Sequence, residues 1–118
     1  MEKLLCEVTI SMSSTIKEGR YKLVSKNYVI KRETAKTVII DRAGNDHKHL
    51  TSELMEIKPT RKNDKMSQLG FKTICLHEDR FEAGSNLKAA IQTKMTELAR
   101  FYENSIAAWE KGCLLEEV

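Results

Sequence analysis

The chain has 118 residues, 41% of them hydrophobic and 31% charged, with a net charge of +3. That length suits a single domain over residues 1–118 with one hydrophobic core, and the composition excludes wholesale disorder, collagen-like repeats and proline-rich linkers. No apolar run approaches the ~20 residues of a membrane-spanning helix, and the first residues lack the apolar core of a signal peptide, so a cytoplasmic protein with no membrane partner is expected.

The charge is weakly polarised, with +4 over residues 1–50 and −2 over 71–118. A basic front half permits a nucleic-acid partner without requiring one, because mixed-sign surfaces also serve solubility. Cys6, Cys75 and Cys113 are widely spaced and form no C-x-x-C pair, so neither a disulfide framework nor a zinc site is signalled. Cys6 and Cys75 fall in apolar runs and are expected to act as small buried hydrophobes, leaving Cys113 the more reachable thiol.

Residues Leu4 to Met12 alternate, with Leu4, Cys6, Val8, Ile10 and Met12 on one face and Glu7, Thr9 and Ser11 on the other, which predicts a half-buried strand. The turn formers from Ser13 to Gly19 predict a loop. From Arg20 to Arg32 the anchors Tyr21, Leu23, Tyr28 and Ile30 predict one long bent strand, or two short ones, with the phase slipping at Ser25-Lys26-Asn27. A β-hairpin is expected next, its arms Tyr28–Arg32 and Thr37–Asp41 joined through Glu33-Thr34-Ala35-Lys36.

Ala43-Gly44-Asn45-Asp46 predicts a second tight turn leading to His47 and His49, Thr51 before Glu53-Leu54-Met55 is placed to cap a single helical turn, and Pro59 is then expected to stop regular structure. Residues 58–70 read as an exposed loop, whose length marks it as a candidate contact region through Arg61, Lys62 and Lys65. Strand character returns at Phe71–Leu76.

A long amphipathic helix is predicted over residues 85–111, with Ser85 as N-cap after Gly84 and Gly112 as the stop. Leu87, Ile91, Met95, Leu98, Tyr102, Ile106 and Trp109 form its apolar stripe. At ~1.5 Å per residue this helix spans about 39 Å, longer than the roughly 35 Å globule beneath it. Its stripe therefore either overhangs, where a second copy or a partner covers it, or stays on the sheet by lying diagonally or breaking near Ser105.

Chemistry-bearing motifs are few. His47 and His49 could share a metal only with ligands such as Asp41 or Asp46 brought across the turn, and His77-Glu78-Asp79 reads better as a polar strand end than as an acid/base group. No glycine-rich phosphate loop or nucleophile elbow is present, so no catalytic residue, metal or cofactor is assigned and an enzyme is not expected. Tyr21, Tyr28 and Phe71 could stack nucleic-acid bases, but their positions read first as core.

The pattern Tyr28-x-Ile30-x-x-Glu33-Thr34-x-Lys36-Thr37-Val38-Ile39, followed by Lys48-x-Leu50-x-x-x-Glu53-Leu54, resembles one in small accessory proteins encoded by bacteriophages and prophages. The likeness covers about residues 20–57 and is mostly hairpin chemistry, with Thr34 and Glu33 bonding the turn and Lys36 balancing Glu33. It implies a protein of the host cytoplasm that binds a host enzyme, blocks a defence system or captures a signalling nucleotide.

These readings combine into an α+β fold, in which a curved, mostly antiparallel sheet of about five strands, or a small open barrel, spans residues 1–82 and the helix packs over it. The expected function is non-catalytic binding of a host protein, or of a second copy as a homodimer, with Arg61, Lys62, Lys65, Tyr102 and Trp109 in contact. One alternative is a sponge for a nucleotide or other anion held by Lys31, Arg32, Arg42 and Lys48. A nucleic-acid-binding module is the other.

Overall fold

The computed structural model describes residues 3–12, 21–60 and 69–112. The strands are β1 (Leu4–Met12), β2 (Tyr21–Glu33), β3 (Thr37–Arg42), β4 (Asn45–Leu50), β5 (Lys58–Pro59) and β6 (Gly70–Leu76), and the helix α1 runs Arg80–Gly112. Short 3-10 turns at Thr51–Glu53 and His77–Asp79 join β4 to β5 and β6 to α1. The strands form one antiparallel sheet in the order β4-β3-β2-β1-β6-β5. After β4 the chain crosses to β6, where Leu54 bridges Ile74 and the Met55 amide donates to the Ile74 carbonyl at 2.7 Å. The sheet is thereby curled into a half-barrel with a helix outside it, the α+β architecture its strand and helix patterns predict.

Two cores follow from the strand register. Cys6, Val8 and Ile10 on β1 share a face with their β6 partners Cys75, Thr73 and Phe71. That face packs beneath Ala83, Leu87 and Ile91 of α1, with Leu69 completing the cluster. The opposite face of β1 was expected to be polar, yet Leu5 is buried there with Val38 and Ile40, beside Tyr28, Ile30 and Leu54. Curling of β3 over β1 makes an inside for that face, which alternation along a single strand does not reveal.

β2 is one strand, and its phase slips elsewhere than expected. Its ladder with β1 is regular through Ser25, Lys26 and Asn27, and the irregularity falls between Ile30 and Arg32, where β2 passes from pairing with β1 to pairing with β3. The extra residue sharpens the bend there. At the first hairpin the Thr34 hydroxyl accepts the Thr37 amide at 3.1 Å, whereas Glu33 pairs with Lys3 at 2.9 Å and not with Lys36. The second hairpin turns on Ala43 and Gly44, both at positive φ (53° and 84°), the geometry whose twist matches two-residue hairpins, and Asp41 Oδ1 accepts the Gly44 amide.

The loop expected over residues 58–70 is shorter at both ends, since Lys58 and Pro59 pair with β6, and Leu69 and Gly70 are buried. Residues 61–68, with Arg61, Lys62 and Lys65, lie outside the described residues. The helix begins at Arg80, five residues before the predicted cap at Ser85. Arg80 donates to the His77 carbonyl at 2.8 Å, and Gly84 is an internal helical residue at which a Cβ would lie 3.2 Å from a methyl of Leu23 on β2. The cap-like Gly-Ser pair thus lies inside the helix and not at its start.

Candidate functional site

The 33 residues of α1 amount to about 50 Å of helix. Its buried residues, Ala83, Gly84, Leu87 and Ile91, all fall in the first half, with Leu98 partly packed on the same core. Every residue from 99 to 112 is exposed, and the molecule measures 72 × 30 × 25 Å. The helix therefore neither lies diagonally on the sheet nor breaks at Ser105. The Ser105 hydroxyl donates to the Phe101 carbonyl at 2.9 Å within a continuous helix.

The overhanging segment is not polar. Phe101, Tyr102, Ile106 and Trp109 are 63%, 45%, 58% and 67% exposed, and Phe101 meets Tyr102 edge-on at 5.7 Å between ring centres. Ile91, Met95, Leu98, Tyr102, Ser105 and Trp109 recur at steps of 4, 3, 4, 3 and 4, the spacing of a seam between two helices. Tyr102 and Trp109 thus stand on one face, two turns apart. Residues 61–68, assigned to the same contact, are not described with them.

The second feature is a cleft of about 180 Å³ inside the curl, lined in part by Glu7, Arg42, His49, Glu53, Lys58 and Lys72. Arg42 is fixed at its edge, donating to Glu7 Oε2 at 2.8 Å and to the Tyr28 hydroxyl at 3.1 Å while its guanidinium lies 4.9 Å from the Tyr28 ring centre. His49 approaches Glu53 at 3.6 Å. Glu7, Glu53 and Glu56 line this cleft together with Arg42, Lys58 and Lys72, so it presents no field of one sign.

The four cations assigned to an anion site do not converge. Lys31 and Arg32 both reach Asp46, at 2.6 and 3.7 Å, and the Lys31 hydrogen bond holds the Asp46 carboxyl below its ordinary value. Arg32 and Lys48 flank Ile39 in register, whereas Arg42, three residues further along β3, is on the opposite face. The Glu7–Arg42 pair joins residues 35 apart and carries no local sequence signal.

The remaining candidates have structural partners. His77 Nδ1 meets Asn27 Oδ1 at 2.9 Å, and the His77-Glu78-Asp79 turn forms the entry to α1. His47 is exposed on β4 and His49 half-buried, and among the described residues no three His, Cys, Asp or Glu side chains converge as a metal site would require. No helix among the described residues is long and apolar enough to cross a membrane.

No family model, curated protein or solved structure matches the chain.

Proposed function

We propose that this chain is a non-catalytic binding protein that acts by protein–protein contact, with the overhanging part of α1 as its contact element and a second copy of the chain as its occupant. The observation that carries this reading is the exposure of Phe101, Tyr102, Ile106 and Trp109 on helix that has no sheet beneath it. Residues 99–112 make only about 21 Å of helix. Propagated from the packed first half of α1, this segment buries none of its own apolar side chains, and a second helix on the 4-3 seam supplies that burial. The resemblance of the hairpin to phage and prophage accessory proteins extends the proposal to a role in the host cytoplasm, where the homodimer engages a host or defence protein.

Native mass spectrometry of the gently purified protein at low salt tests the reading. The expected result is twice the chain mass, reverting to one chain mass in Tyr102→Glu/Trp109→Glu with the circular dichroism of the sheet retained. A monomer in the parent protein overturns self-association. An added mass of a few hundred daltons per chain, lost on denaturation, moves the assignment to a sponge for a nucleotide or other small anion.

A further inference from the structure

Beyond the helix, the molecule has a second unfilled contact surface, on the sheet. β2 pairs with β1 along Tyr21–Val29, but β3 joins its other side only from Ile30 to Glu33. The Ile30 amide donates to the Lys3 carbonyl, in register with the β1 ladder. By antiparallel alternation, the N–H and C=O groups of Leu23, Ser25 and Asn27 point away from β1. Among the described residues no strand takes them. Inside a six-stranded sheet, β2 is thus an edge over half its length, flanked by Leu23 and Val24, which are 41% and 43% exposed.

From this we infer that the Leu23–Asn27 edge of β2 accepts an extended, acidic segment of a partner protein as an added strand. Backbone groups spaced two residues apart match those of any extended chain, which is how sheet edges bind peptides. The side chains select which chain. Lys22, Val24 and Lys26 project from one face, and neither lysine forms an ion pair among the described residues. Lys31 and Arg32 lie further along the same strand. An incoming strand with acids opposite Lys22 and Lys26 and an apolar residue opposite Val24 is complementary on that face. A second copy's β2 would instead set two further lysines beside these two. Edge lysines of this kind oppose self-pairing.

The test is fluorescence anisotropy with two labelled octapeptides added to the full chain, a Glu-Val peptide of sequence Thr-Glu-Thr-Val-Thr-Glu-Thr-Val, whose one face reads Glu, Val, Glu, and a Lys-Val peptide with lysine in place of each glutamate. Saturable binding of the Glu-Val peptide at least tenfold tighter than of the Lys-Val peptide is expected. The preference should reverse in Lys22→Glu/Lys26→Glu. Glu-Val peptide N-methylated at alternate residues, made in both phases, should bind in one phase only, because each phase blocks one edge of the added strand. Equal affinity for the two charges, equal loss in both methylated phases, or no saturation by 1 mM peptide overturns the inference. Stoichiometric displacement by an eight-residue oligothymidine also overturns it, in favour of a nucleic-acid ligand.

Discussion

Cys6 of β1 and Cys75 of β6 stand directly opposite each other in the ladder, both fully buried beneath α1. Burial pushes both thiols up, Cys75 to about 12 with the charges of Cys6 and Asp79 adding to the effect. A thiol that resists ionisation is a poor nucleophile. In a Cys113→Ser background, native labelling by iodoacetamide at pH 8 should therefore be at least about a hundredfold slower than labelling in denaturant. Comparable rates would show that the helix does not seal this face.

The same thiols set a pH dependence. In the unfolded chain cysteines ionise near pH 8.5–9, while in the folded protein they keep their protons to higher pH. Between these limits the folded state binds more protons, so stability falls as pH rises. The melting temperature should decline from pH 8.5 to 10, and the decline should flatten in Cys6→Ala/Cys75→Ala. An unchanged slope in the double variant would assign the effect to other groups.

Two glycines separate opposite outcomes of one substitution. At Gly84 a Cβ would lie 3.2 Å from a methyl of Leu23, whose side chain is exposed enough to yield, and alanine gains helix propensity. Gly84→Ala should stabilise by about 0.5 kcal/mol. At Gly70 the Cβ would collide with the Thr60 side chain and sit 3.2 Å from the Ile10 carbonyl, which is held in the β1–β6 ladder. Gly70→Ala should cost about 2 kcal/mol or more in urea unfolding. Equal effects at the two sites would contradict this packing.

Local patterns carried most of the architecture in legible form. The alternation of Leu4–Met12, the turn residues at Thr34 and at Gly44, and the apolar steps of α1 each describe short-range geometry, and the strands and helix follow them. What stayed hidden depends on contacts between distant residues. The burial of Leu5 needs β3 to curl across it, and the engagement of Arg42 needs Glu7 from another strand. The unpaired stretch of β2 is invisible for the same reason, since β2 and β3 differ in length by seven residues but only the register says which end is left over. At the helix, Tyr102 and Trp109 were legible because their exposure follows from length alone.

The Glu7–Arg42–Tyr28 group gives the curl a testable energetic role. Glu7 and Arg42 are each about one-third exposed (30% and 35%), so solvent screens the pair and only part of a buried ion pair's strength applies. Removing the cation still leaves Glu7 without its bidentate-capable partner and strips the Tyr28 ring of its stacked guanidinium. Arg42→Met should lower stability by about 1 kcal/mol, and Tyr28→Phe by less, because the ring contact survives loss of the hydroxyl. The two losses should not add, since both substitutions act on one network. Urea unfolding of the single and double variants decides the matter, and strict additivity would mean that Arg42 contacts Glu7 and Tyr28 independently.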